Sequence, residues 1–374
     1  MKDIVYLDLK TLDDKKLFIR PKRFIDVKKE LIEFLKGERH LCTKTFAKTV
    51  MFSHELKANN QIEGYGDDVE LIKEVIARTK DIQDKDKRQR ILNLYHGYNY
   101  ILKNKEINSE TLKKLYNILS KDLLKERDLS RMGEYYRTAP VYILKHGRLD
   151  VEPDQGVKAN EIEKYMIDYF NFLNNEIDGD ITDEYIKSQI LHYYFVYIHP
   201  YFDVNGRTSR TLSMWYLINK KSYPYIIFNR GISFKDSEYT SVIEDVKAFH
   251  DLSYFIDYML RTVKIELEKE YVMQIEANLA SDKLSGIDYQ TLLYFLTMKG
   301  CKSVLDFVNM YNKFNDKKKV KEIYETMIVP LLDKGILDIE RKTQKNMFND
   351  HNNVVLKLRN TKEISRDKVK RLVL

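Results

Sequence analysis

Twelve residues, His199-Pro-Tyr-Phe-Asp-Val-Asn-Gly-Arg-Thr-Ser-Arg210, separate two stretches of helical apolar spacing, and this arrangement confines the fold more than any other feature of the chain. Over 182–198, Ile186, Ile190, Tyr193, Tyr194 and Tyr197 recur at helical intervals. Over 207–219, Leu212, Trp215, Tyr216 and Leu217 supply a second buried side. The polar cluster is therefore expected in a short turn joining two helices. Gly206 opens the second helix, where free N–H groups and the positive dipole end attract an anion. Arg207 and Arg210 share one face of that first turn. Taken singly, His199 reads as a helix-end residue and Asp203 as a cap. Two arginines at the positive end of a helix are unfavourable without an anion or an acidic partner. The joint pattern thus reads as a grip for a polyphosphate beside a base.

These residues resemble the active-site signature of the Fic (filamentation induced by cyclic AMP) family, H-x-F-x-[DE]-G-N-[GK]-R-x-x-R. His199, Asp203, Asn205, Gly206, Arg207 and Arg210 stand at family spacing. Tyr201 replaces Phe, keeping the ring. Val204 replaces Gly, and a β-branched residue disfavours positive φ. Two alternatives follow: lowered activity, or a loop without left-handed geometry. The likeness extends over about 112–264, including Gly133-Glu134-Tyr135-Tyr136-Arg137 and, over 141–149, a substrate-aligning hairpin flap whose stretch 142–144 is the best candidate for a pairing edge.

The resemblance implies transfer of AMP from ATP to a Ser, Thr or Tyr hydroxyl of a protein, itself included. His199 would be the general base, and Asp203 would hold Mg²⁺. Asn205 and the N–H groups of Val204, Gly206 and Arg207 would surround the α-phosphate. Arg207 would take the β-phosphate and Arg210 the γ-phosphate. Gly206, where some relatives have Lys, favours AMP over phosphate transfer. Tyr239, in Ser237-Glu238-Tyr239, would lie beside the adenine, although packing is the commoner role of a tyrosine in a chain with 27 of them. Asn59-Asn60-Gln61-Ile62-Glu63-Gly64 is similar to the family's inhibitory motif, [ST]-x-x-x-E-[GN], with Asn59 at the Ser/Thr position. Glu63 would pair with Arg210 and displace the γ-phosphate, from a segment, 43–64, that precedes the core.

The 374 residues imply two or three domains, mainly α: a helical region over 1–106, a Fic-type core with its small flap over 107–272, a linker over 273–285, and a C-terminal module over 286–374. Helical spacing at 289–298, 303–312 and 317–328, then strand-like runs at 336–340 and 354–358, is the layout of a winged helix, which many bacterial Fic proteins carry. The hydrophobic fraction is 43%, with 13 glycines and 6 prolines, which favours helices with short connections. A net charge of +7 suits acidic ligands without demanding nucleic acid. Cys42 and Cys301 have no metal-ligand spacing, and with no signal peptide or membrane-length apolar run the expected setting is cytoplasmic. A homodimer, and a DNA contact through Lys317–Lys319 and Lys321, stay open. The competing reading is a Fic core weak in chemistry that acts as a DNA- or partner-binding regulator.

Overall fold

The computed structural model describes residues 3–38, 52–77, 82–143, 154–175, 184–221, 229–233, 236–266, 302–305, 308–309, 317–333, 337–341 and 354–358. The chain divides into two compact units, one of residues 1–29 and 44–263, the other of residues 30–43 and 264–374.

The first unit is built around two helices, α7 (Glu184–Ile198) and α8 (Asn205–Lys221). α7 is apolar on nearly every side, and such a helix is stable only when surrounded; Ile186, Ile190, Tyr193, Tyr194, Phe195 and Ile198 are all buried. Small residues let it approach α8 closely. Ser188 Oγ donates to the Ser213 carbonyl at 3.2 Å and Ser213 Oγ to the Ser188 carbonyl at 3.3 Å. Leu212, Trp215, Tyr216 and Leu217 complete the same core.

Around this pair lie α2 (Phe52–Ile62), α3 (Val69–Ala77), α4 (Lys85–Lys103), α5 (Ser109–Ser120), α6 (Ile162–Asn174), α9 (Asn229–Ser233), α10 (Asp236–Phe249) and helical residues 253–263. Starts are set by capping. The Asp84 side chain accepts from the Lys87 N–H, and Asn108 with Thr111 forms a reciprocal capping box. Of the inhibitory segment expected over 43–64, residues 43–51 lie outside the described residues.

An N-terminal hairpin opens the region expected to be helical over 1–106. Strands β1 (Val5–Lys10) and β2 (Lys16–Ile19) pair antiparallel, and α1 (Ile25–Glu38) follows. Leu7, Leu9, Leu17 and Ile19 fill its inner face. Tyrosine hydroxyls fasten it: the Leu12 N–H donates to Tyr197 Oη at 2.7 Å, and Tyr194 Oη donates to the Lys10 carbonyl at 2.9 Å. These tyrosines give apolar bodies to the core and polar tips to the hairpin backbone.

In the second unit, β5 (Lys302–Ser303), β6 (Leu337–Arg341) and β7 (Val355–Leu358) form an antiparallel sheet in the order β5-β7-β6. Before β6, helical residues 320–333 run through Pro330. The turn before it, Tyr324–Ile328, is π-helical, and a π-turn absorbs the bond that proline cannot make. The linker expected over 273–285 and the helix expected over 289–298 lie outside the described residues.

Candidate active site

α7 ends in a left-handed cap. The His199 N–H donates to the Phe195 carbonyl at 3.0 Å with φ at +54, the position where helices usually place glycine, and Pro200 then blocks continuation. The half-buried imidazole directs Nδ1 at the Val196 carbonyl, 3.3 Å away. A carbonyl only accepts, so the proton belongs on Nδ1 and Nε2 keeps its lone pair. Burial, with a smaller contribution from the Arg137 cation, pushes the pKa down to about 4, and the ring is neutral at physiological pH.

The turn that follows is held at several points. Tyr201 is fully buried and stacks on Tyr116 at 3.6 Å. The Tyr201 N–H donates to Asn205 Oδ1 at 3.0 Å, and Asn205 Nδ2 donates to the Tyr201 carbonyl at 2.9 Å. The amide expected at the α-phosphate therefore closes the loop. Val204 has φ at +64, so the loop does need left-handed geometry, and Val adopts it against its own sterics. It is buried. Asp203 is exposed, with Oδ1 accepting from the Val204 N–H at 2.6 Å.

α8 opens at Asn205, within a residue of the Gly206 start expected. Arg207 is 3% exposed, and its Nε and Nη1 have no hydrogen-bond partner. A buried guanidinium with idle donors is costly unless an anion is meant to meet it. Arg210, 1% exposed, is by contrast fully engaged: Nε donates to Asn59 Oδ1 at 2.8 Å, and Nη2 donates to Glu63 Oε1 at 2.5 Å. Burial works against its charge, yet Glu63 holds the pKa above the ordinary value.

Glu63 reaches that place through local geometry. The Gly64 N–H donates to the Gln61 carbonyl and the Tyr65 N–H to the Asn60 carbonyl, both at 3.0 Å, with Gly64 at φ +85. This is a Schellman cap on α2, and it turns the preceding carboxylate toward α8. A Cβ on Gly206 would stand 2.5 Å from Glu63 Oε1, so a side chain there would push the carboxylate aside.

A buried polar chain backs this ion pair. Asn59 Nδ2 donates to Tyr98 Oη at 3.2 Å, and Asn229 Nδ2 donates to Tyr98 Oη at 3.3 Å and to Glu55 Oε2 at 2.8 Å. Sequence reasoning passed over Tyr98, Glu55 and Asn229. The available signal was two polar residues, Glu55 and Asn59, one turn apart on the side of α2 that also carries Leu56. Tyr239 is buried, its hydroxyl 2.9 Å from His192 Nε2 and its ring packed with Phe255 and Tyr258. That contact belongs to packing behind Arg210.

The flap begins as β3 (Tyr142–Ile143) paired with β4 (Asp154–Gln155), and residues 144–153 lie outside the described residues. Tyr142 is 59% exposed on it.

Residues 106–217 match the model of the Fic/DOC family. The chain carries a Fic/DOC domain. Family members typically transfer nucleotide monophosphates onto proteins, using ATP with a divalent metal. The fold agrees with solved Fic structures. One is a Fic family protein from Desulfovibrio desulfuricans G20, 17% identical with a TM-score of 0.58, covering 90% of this chain and 96% of that one. Another is a fragment of Fic-1 from C. elegans, also 17% identical, with a TM-score of 0.52, covering 69% of this chain and 73% of that one. No helix among the described residues is long and apolar enough to cross a membrane.

Proposed function

We propose that this chain is a protein adenylyltransferase that transfers AMP from ATP to a hydroxyl side chain of a protein, itself included, and that Glu63 restrains it. The observation that carries the reading is the unlike state of two buried arginines in one helical turn. Arg207 has idle donors, whereas Arg210 is neutralised by a carboxylate at the helix N-terminus. A triphosphate satisfies both requirements, because its β-phosphate meets Arg207 and its γ-phosphate competes with Glu63 for Arg210.

In the reaction His199 Nε2 accepts the proton of the target hydroxyl. The hydroxyl oxygen bonds to the α-phosphorus as the bond from that phosphorus to the bridging oxygen breaks, and diphosphate leaves. The N–H groups of Gly206 and Arg207 stabilise charge gathering on the α-phosphate, and the Arg207 guanidinium that of the leaving group. Asp203 fits Mg²⁺, because its exposed carboxylate keeps one oxygen outside the loop bond, and this ion takes one or two carboxylates with phosphates and water. When bound, Mg²⁺ neutralises phosphate charge.

The target extends the flap edge at Tyr142 as an added strand. Helical residues 320–333 followed by the paired strands β6 and β7, with β5 as a third strand, support a winged-helix-like C-terminal module, with DNA or a protein as its partner.

Incubation with α- or γ-labelled ATP and Mg²⁺ tests the proposal. Protein-bound label from the α-position, lost in His199→Ala, is the expected result. Label from the γ-position, or none in Glu63→Gly, overturns it.

A further inference from the structure

Arg137 is 1% exposed, and its donors go to three backbone carbonyls. Nε donates to the His199 carbonyl at 2.9 Å, Nη1 to the Ala139 carbonyl at 2.8 Å, and Nη2 to the Val157 carbonyl at 2.5 Å. Its own N–H donates to the Pro200 carbonyl at 3.0 Å. Burial lowers its pKa to about 10, so the group keeps its charge at a desolvation cost that neutral packing would avoid.

The three carbonyls are not an arbitrary set. Ala139 leads into β3 and Val157 leaves β4, so they are the two feet of the flap. His199 is the residue read above as the base. It stands at φ +54, a conformation costing a non-glycine residue about 1 kcal/mol, and persists only where its surroundings hold it. Further ties run alongside: the Val157 N–H donates to the Ile198 carbonyl at 3.3 Å. Gly156 lies so close that a Cβ would stand 2.9 Å from Arg137 Nη2 and 3.0 Å from the His199 Cβ.

We infer that Arg137 is a positioning residue that ties the two feet of the flap and the His199 imidazole into one frame. A target strand added to the flap then delivers its hydroxyl at a fixed distance from Nε2. A neutral planar group could not serve three carbonyls, whereas the guanidinium fork presents donors in three directions. Arg207 and Arg210 lie outside this frame, so nucleotide binding is independent of it. The inference rests on the reading of His199 as the base.

The test uses the full chain carrying Glu63→Gly, with Arg137→Met, Arg137→Lys and Gly156→Ala added singly. Two readouts are taken: ATP affinity with the rate of AMP transfer, and the titration of the His199 imidazole by NMR. For Arg137→Met and Gly156→Ala we expect ATP affinity to stay within about 2-fold while transfer falls about 100-fold, the loss typical of a misplaced reacting group. Arg137→Lys recovers part of the rate. In Gly156→Ala, which keeps the Arg137 cation and so its charge effect, the imidazole also titrates nearer its ordinary value, a result that needs no turnover. If Arg137→Met does not fold, Gly156→Ala gives the same reading. Wild-type transfer and titration in folded variants, or parallel loss of ATP binding and transfer, overturns the inference. A parent chain that transfers no AMP sinks the functional reading instead, and the NMR result still decides whether Arg137 seats the imidazole.

Discussion

Glu63 Oε1 lies 2.5 Å from Arg210 Nη2, and the same oxygen fills the space a side chain at 206 would need. The carboxylate thus occupies the anion site formed by the α8 N-terminus and the second signature arginine. Glu63→Ala takes the carboxylate from Arg210 and leaves it the Asn59 amide and the Tyr239 hydroxyl. Because Glu63 is itself a quarter exposed, the stability loss is expected at about 1–3 kcal/mol, below that for a fully buried pair. ATP should then bind at least 10-fold tighter and recover more melting temperature than in the wild type. Thermal shift with and without ATP checks this; unchanged nucleotide stabilisation would contradict it.

Tyr201 is fully buried, stacked on Tyr116, and its hydroxyl has no hydrogen-bond partner. Burial, with Tyr136 and Tyr116 nearby, also raises its pKa well above the usual phenol range, so the group stays neutral. Tyr201→Phe removes an unsatisfied polar atom while keeping the ring. The expected gain is about 1–2 kcal/mol, read as a higher urea midpoint at unchanged slope. A loss of stability would show that the hydroxyl does have a partner.

Much of this site was legible because its chemistry is local. The helix–turn–helix around His199–Arg210 follows from apolar spacing, and α8 begins one residue before the expected Gly206. Glu63 was visible through the helix-ending Gly64. The turn's strain was not: Val204 argues against positive φ by its own propensity, and only the surrounding closure, Asn205 bonding across to Tyr201, forces it. Nor was Arg137 readable as a clamp, since its partners are carbonyls far away in sequence. The β1–β2 hairpin alternates Leu7, Leu9, Leu17 and Ile19 inward, but six residues or fewer per strand give a weak signal beside strong helical neighbours.

Two histidines are kept neutral by burial, His199 down to about 4 and His192, with Arg210 adding to the effect, down to about 3. A depressed folded pKa contributes stability that is present above the unfolded value of 6.5 and lost as pH falls toward the folded value. Melting temperature should therefore drop between pH 6.5 and about 4, and His199→Gln should shallow that slope. Calorimetry across this range decides; equal slopes would place the imidazole in water. The acidic limb of kcat/KM for the free enzyme should also fall below 6.5.

Arg207 and Arg210 have opposite relations to stability. Arg207 is buried with Nε and Nη1 idle, so Arg207→Met exchanges a desolvated cation for apolar volume. It is expected to stabilise the chain by about 1–3 kcal/mol. Arg210→Met strands Asn59 Oδ1 and the Glu63 carboxylate, and is expected to destabilise by a similar amount. Both variants should lose stabilisation by ATP, so ligand response and intrinsic stability separate. Urea titrations with and without ATP read both quantities. If Arg207→Met is less stable than the parent, Arg207 has a structural partner and is no longer evidence for a phosphate site.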